Sequence, residues 1–263
     1  MHGLRDCVYG EAVADALGVP FEGMRRGSYV CTGMTGSGTH GMPAGVFSDD
    51  TSMTLALCDS IRELGRVDVA DIRARFVAWL ERGEYTSFGA FSAGRTTRRS
   101  LESGEGLSGE RDNGNGSLMR TFPLAFAEAT DDEVRAVSAI THANPVSTGA
   151  CVGAVHLARE LAEGAEPSEA VERAGFSGLS EAKSYEISSG GYVLDTFKAA
   201  CWCLVTTGSY ASCVLTAVNL GGDTDTTAAV AGALAGTVYG KDAIPSQWME
   251  TLRGTEIIER CLF

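Results

Sequence analysis

A chain of 263 residues, 44% of them hydrophobic, can bury one large core, and a single domain over residues 1–263 is the simplest organisation. Its formal net charge of −13 lacks the basic footprint of a nucleic-acid binder, so no direct nucleic-acid binding is expected. The N-terminus carries no apolar signal segment, and every apolar stretch is broken before about 18 residues, so no membrane span is expected.

The first segment with chemistry in it runs from Gly10 to Glu22. Asp15 lies there among small apolar residues, where an unpaired carboxylate is expensive, so it needs a partner. Glu22 follows the helix and can reach a site from a loop. Gly27 to Gly45 is a loop rich in Gly, Thr and Met, with weak strand candidates at Tyr29–Cys31 and Val46–Phe47. Next comes Ser48-Asp49-Asp50-Thr51, and Met53, Leu57, Ile61 and Leu64 then repeat at helical spacing until Gly65. Val69, Ile72, Phe76, Trp79 and Leu80 share one face of a helix that Asp68 can cap and Gly83 can end.

Ser103 to Gly116 reads as a second Gly-rich loop, and it leads into Asp112-Asn113-Gly114-Asn115-Gly116-Ser117-Leu118-Met119-Arg120. Asn115 and Ser117 present hydrogen-bonding groups there, and Arg120 could neutralise a carboxylate or a phosphate. A helix starting at Asp131 or Asp132 turns Val134, Val137 and Ile140 inward. It ends at Thr141-His142-Ala143-Asn144-Pro145, where Pro145 forbids continuation and His142 serves either as a C-cap or as a site residue. Ser147–Leu161 (with Cys151, Val155, His156 and Leu161), Asp195–Val205 and Tyr210–Leu220 are further helices. Gly221-Gly222-Asp223-Thr224-Asp225-Thr226 opens the last, Ala- and Gly-rich, helix, whose small residues suit close packing in the centre. Strand signals are poor throughout, so the fold class expected is all-α.

The eight cysteines include no C-x-x-C pair, and five of them sit in apolar runs. They read as buried thiols in a reducing, cytoplasmic compartment. Zinc-ligand spacings do not fit. His2, His40 and His156 read as structural or surface residues.

The two acidic clusters point to chemistry. Each sets carboxylates beside hydroxyls and small residues, a donor set for a hard divalent cation, Mg²⁺ above all, with room for two ions. Two ions close together make a hydrolytic site. Asp at a helix start also serves as a plain cap. That alternative is weaker at Asp223 and Asp225, with their paired glycines, than at Asp49 and Asp50.

Taken together and in this order, these segments resemble the ADP-ribosylglycohydrolase family, from about Val8 to Gly240. The most specific match is Gly221-Gly222-Asp223-Thr224-Asp225-Thr226-Thr227-Ala228-Ala229. Asp49-Asp50-Thr51, Gly114-Asn115-Gly116, Met119-Arg120, Thr141-His142 and Gly191-Tyr192-Val193 support it. The resemblance implies an all-α domain with a central binuclear Mg²⁺ site, Mn²⁺ being a possible substitute. The reaction implied is hydrolytic removal of ADP-ribose from a modified side chain (arginine or serine) or from a small ADP-ribose conjugate. The partner would be an ADP-ribosylated protein or such a conjugate, met by a monomer. By position, Ser48, Asp49 and Asp50 would hold one ion, and Asp223, Asp225 and Thr226 the other, with Asp225 a bridge. Glu22 or Asp112 would move protons, with Asp50 close to the reaction. Asp112, Asn115, Gly116, Ser117, His142, Gly191 and Tyr192 would line the substrate pocket.

The chain departs from the family pattern at Ser48, where Thr is usual, at Ala14, where Gly is common, and at Asn144, where Asp is frequent. It is also short for the family. The alternatives are a non-catalytic ADP-ribose-binding or crystallin-like structural relative, and a binuclear phosphoester hydrolase.

Overall fold

A computed structural model describes residues 2–263. The helices, in chain order, are α1 (Leu4–Gly18), α2 (Asp49–Leu64), α3 (Val69–Arg82), α4 (Arg95–Ser103), α5 (Asp131–Ala139) and α6 (Pro145–Ala162). They continue as α7 (Pro167–Arg173), α8 (Val193–Thr206), α9 (Tyr210–Asn219), α10 (Thr224–Tyr239), α11 (Ser246–Thr251) and α12 (Thr255–Cys261). Among the described residues there are only isolated β-bridges, and Tyr29–Cys31 and Val46–Phe47 are irregular chain. The all-α expectation holds.

The centre is the pair α1 and α10. Both are buried all round, from Cys7 to Gly18 and from Thr224 to Thr237. A helix with no polar face must sit inside the fold. The two approach so closely because they meet on small residues. A Cβ on Gly10 would lie 2.3 Å from the Gly232 carbonyl, and one on Gly236 would lie 2.3 Å from the Asp6 carbonyl. Helices α2, α6, α8 and α9 pack around this pair, with α3, α5, α7 and α12 outside them.

The local signals explain most boundaries. Asp68 caps α3 by accepting the Asp71 N–H, and Gly83 ends it in the left-handed region at φ 68°. Helix α5 is capped by Thr130 rather than by Asp131 or Asp132, because Thr130 and Glu133 form a reciprocal capping box. Leu64, expected on the inner face of α2, is 43% exposed in the last residue of that helix, and His156 lies on the outer face of α6, bonded to Asp131. All eight cysteines are buried free thiols. No helix among the described residues is long and apolar enough to cross a membrane.

This packing brings three helix ends to one place. A Cβ on Gly18, at the end of α1, would lie 2.4 Å from the Asp225 Cα, and the Thr224 hydroxyl donates to the Gly18 carbonyl at 2.8 Å. The end of α1 thus abuts the start of α10. The start of α2 joins them through Asp15.

Candidate active site

Asp15 is fully buried, and its carboxylate accepts the Ser48 N–H at 3.0 Å, the Thr51 N–H at 3.1 Å and the Thr51 hydroxyl at 2.6 Å. These are the orphan donors of the α2 N-terminus. The Ser48 hydroxyl caps the same end by accepting the Asp50 N–H at 3.3 Å. With the helix end satisfied by Asp15 and Ser48, neither Asp49 nor Asp50 is needed as the cap. The Asp50 carboxylate accepts the hydroxyls of Ser48 at 2.9 Å and Thr226 at 3.4 Å on one oxygen, and its Oδ1 has no partner.

The α10 end follows suit. Asp223 is the N-cap residue but makes no capping bond with its side chain. Its Oδ2 instead accepts the Asn115 amide at 2.8 Å. Asp225 accepts the Thr226 N–H at 2.9 Å. Carboxylate oxygens of Asp15, Asp50 and Asp225 all lie within 4.8 Å of one another.

So many buried carboxylates oppose one another. Burial first, then Asp15 and the other neighbouring acids, hold Asp49 and Asp50 well above the usual carboxylate range. Burial, then Asp223, Asp50 and Glu22, do the same to Asp225. Burial raises Asp15 only to about 6, because its hydrogen bonds pull the other way. The partners of these acids are hydroxyls and N–H groups, not cations, and one oxygen has none. An all-oxygen set short of positive charge fits a hard divalent cation. The arrangement can hold one.

A cavity of about 280 Å³ opens onto this cluster. Glu22, Asp49, Asn115, Gly116, His142, Gly191, Asp223 and Thr226 line it, all of them singled out from the sequence. Asn115 links the walls: its side-chain amide donates to Asp223 and, at 2.9 Å, to the Thr196 hydroxyl, while its N–H donates to the Gly191 carbonyl at 3.1 Å. His142 is 2% exposed, and its Nδ1 shares a 2.8 Å hydrogen bond with the Thr141 hydroxyl. Burial, reinforced by the Arg120 charge, brings its pKa down to about 3, so the ring is neutral at physiological pH.

Other expected residues stand elsewhere. The structure buries the Ser117 hydroxyl behind the wall, where it accepts a hydrogen bond from Ser138 at 2.9 Å. Tyr192 is 44% exposed as the N-cap residue of α8, and its backbone bridges to Gly114. Asp112 lies at the rim, bonded to Thr96 and Arg95 at 3.3 Å. Ser48, Asp50 and Asp225 sit behind the lining. Arg120 meets neither a carboxylate nor open space. It is fully buried, donates to the Gly116 carbonyl and at 2.8 Å to the Thr141 hydroxyl, and stacks over Phe76. It ties the Gly114–Ser117 turn to the His142 turn.

The motifs above do not single out the residues of the remaining wall. Ser92, Gly94, Arg95, Thr96, Thr97 and Arg111 come from α4 and its flanking loops. The signal available was Gly94 before Thr96-Thr97, a small residue at a helix start, too common to single out. His40, expected as a structural or surface residue, meets the Glu22 carboxylate, which also accepts the Ser92 hydroxyl at 2.9 Å.

A sequence model of the ADP-ribosylglycohydrolase family matches residues 3–262. The chain is 35% identical to ADP-ribosyl-(dinitrogen reductase) glycohydrolase of Rhodospirillum rubrum, over 92% of this chain and 87% of that one. It is 31% identical to ADP-ribosylarginine hydrolase Tri1 of Serratia proteamaculans, over 94% of this chain and 74% of that one. A solved structure titled "ADP-ribosylglycohydrolase-related protein complex" superposes with a TM-score of 0.81 at 31% identity, covering 98% of this chain and 95% of that chain. A match over nearly the whole chain, on the same helical scaffold, leaves one assignment: the protein belongs to the ADP-ribosylglycohydrolase family of hydrolases.

Proposed function

We propose that this protein is a Mg²⁺-dependent hydrolase that releases ADP-ribose from arginine side chains of modified proteins. The observation that carries the proposal is the convergence of the ends of α1, α2 and α10, which sets a buried carboxylate cluster into the wall of one cavity. Arginine is favoured over serine or a small conjugate because the Serratia relative is named for that linkage.

Ser48, Asp49 and Asp50 would hold one ion, and Asp223, Asp225 and Thr226 a second, with Mn²⁺ able to replace Mg²⁺. The chemistry such ions supply when bound is orientation of the ribose hydroxyls and acidification of a water. The chain's own residues do the rest. Asn115 orients Asp223 and the Gly191 backbone together. His142, held neutral, offers a hydrogen bond without a charge. Arg95 and Arg111 supply positive charge at the cavity for the diphosphate of ADP-ribose. Of the proton-carrying candidates, Glu22 lines the cavity while Asp112 is engaged by Arg95 and Thr96 at the rim, so we assign the proton transfer to Glu22. Asp50, buried behind the wall, receives a metal-holding role only.

The test is a panel of defined conjugates (ADP-ribosylarginine, ADP-ribosylserine and O-acetyl-ADP-ribose), each assayed with Mg²⁺ and with EDTA. Free ADP-ribose should appear from the arginine conjugate with Mg²⁺ and not with EDTA. Inorganic phosphate as product would point instead to a phosphoester hydrolase. Binding of ADP-ribose with no release from any conjugate would point to a non-catalytic relative.

A further inference from the structure

His40 contacts Glu22, a residue of the cavity wall, and the function above does not use it. It sits on a tight turn, Gly38–His40, pressed against the end of α1. A Cβ on Gly38 would lie 1.9 Å from the Pro20 carbonyl, and the Thr39 hydroxyl donates to the Glu22 carbonyl at 2.6 Å. The turn is closed by the Ser37 N–H on the Met42 carbonyl at 2.6 Å. These contacts place the imidazole Nε2 on Glu22 Oε2, and the ring rests on Phe91 with centroids 5.2 Å apart.

The consequence is a second donor set beside the first. One ring nitrogen of His40 and one carboxylate oxygen each of Glu22 and Asp225 lie within 4.8 Å of one another. Asp225 is common to this set and to the all-oxygen set of Asp15, Asp50 and Asp225. The His40 and Glu22 side chains are 22% and 29% exposed, so an ion can reach them, whereas Asp225 is buried. The adjoining all-oxygen set, which shares Asp225, is short of positive partners, since its buried Asp50 Oδ1 has no partner at all.

One nitrogen changes the preference. Carboxylates alone suit Mg²⁺, but imidazole with carboxylates suits Zn²⁺, Co²⁺ and related ions, which bind such sets more tightly than Mg²⁺ does. We propose that Glu22, His40 and Asp225 form a binding site for a borderline divalent cation, Zn²⁺ foremost, that takes Asp225 from the Mg²⁺ site and thereby inhibits the enzyme. The binding stands on the donor set itself. The inhibition rests on the Mg²⁺-dependent hydrolase proposed above.

Calorimetric titration of Zn²⁺ into the full-length protein, in a millimolar Mg²⁺ background, tests the binding. Wild type should take up Zn²⁺, and His40→Gln should weaken that uptake at least about tenfold while changing Mg²⁺ affinity less than about threefold. Ser92→Ala removes a contact to Glu22 but no ligand, so it should keep the Zn²⁺ affinity of the wild type. Co²⁺ loading should give a paramagnetically shifted imidazole resonance that is missing from His40→Gln. In the hydrolysis assay, the Zn²⁺ concentration for half-inhibition should rise in His40→Gln by the factor seen in calorimetry. Equal Zn²⁺ affinity in wild type and His40→Gln would overturn the site, and so would an equal loss in His40→Gln and Ser92→Ala. That last outcome would mean that His40 merely steadies Glu22. If no ADP-ribosyl conjugate is hydrolysed, the calorimetric and resonance arms still decide the site by themselves.

Discussion

The carboxylate of Asp15, on α1, accepts the hydroxyl of Thr51, in the first turn of α2, at 2.6 Å inside a fully buried junction. Together with the Ser48 and Thr51 N–H groups, this bond fixes where α2 starts and hence where Asp49 and Asp50 stand. Asp15→Ala leaves those donors buried and unpaired. Each costs about 1–3 kcal/mol, and relief of repulsion on Asp49 and Asp50 offsets part of the total. We expect a net loss of about 3 kcal/mol in urea unfolding and at least a tenfold fall in Mg²⁺ affinity. Unchanged values of both would remove Asp15 from the site's framework.

Two helical glycines make an opposed pair of predictions. A Cβ on Gly232 would lie 2.3 Å from the Gly10 carbonyl and 2.4 Å from the Ala14 Cβ, in the α1–α10 contact. Two backbones meet there, and neither can yield without moving a whole helix. Gly232→Ala should cost at least about 3 kcal/mol or prevent folding. In α6, a Cβ on Gly149 would meet nothing within 4 Å. Gly149→Ala should therefore stabilise the protein by about 0.5–1 kcal/mol through helix propensity. Paired thermal melts decide, and equal effects at the two positions would mean that α1 and α10 are not packed this tightly.

Where local signals were strong, the fold was legible in the residues. Asp68 and Gly83 bounded α3, and the small residues after Thr226 marked the buried central helix. Helix α4 was not legible, because Arg95–Ser103 offers Leu101 as its one large apolar residue, and the wall made by Thr96 and Thr97 was lost with it. The cluster residues could be named because carboxylates beside hydroxyls are chemically unusual in a core. The directions of side chains could not. Ser117 and Asn115 are two residues apart, yet one faces the core and the other the cavity. His40 reaches Glu22 only through the Gly38–His40 turn, a tertiary contact that no local pattern announces.

Glu11 gives the fold a pH dependence of defined sign. It is fully buried one turn before Asp15, with the Thr54 hydroxyl on Oε1 at 2.5 Å and nothing on Oε2. Burial pushes its pKa well above the usual range, and the Asp15 charge adds to this. The folded protein therefore holds a proton that the unfolded chain releases near pH 4.5. The stability this proton confers is complete below that pH and is lost as pH rises toward the folded-state pKa. Glu11→Gln removes the loss. In EDTA, the stability of the variant relative to wild type should grow between pH 5 and 8, with a slope of up to about 1.4 kcal/mol per pH unit. Parallel urea-unfolding curves across that range would contradict it.

Asp225 joins stability to function most directly. It is buried, and Asp223, Asp50 and Glu22 all oppose its charge. Asp225→Asn keeps its size and removes that charge, so the metal-free variant should melt higher than the metal-free wild type, by an amount equal to about 1–2 kcal/mol. Mg²⁺ should reverse the order. At a concentration about 100 times its Kd, a bound ion would stabilise the wild type by about 2.7 kcal/mol, and the variant, lacking the proposed ligand, should gain little. ADP-ribose release should fall at least about a hundredfold in the variant, because a charge proposed to hold the ions is gone. Melting curves with and without Mg²⁺ read the first effect, and release of ADP-ribose reads the second. A variant that is stabilised by Mg²⁺ as strongly as wild type, and that hydrolyses as fast, would take Asp225 out of the metal site and leave the buried carboxylate cluster without the role argued for it.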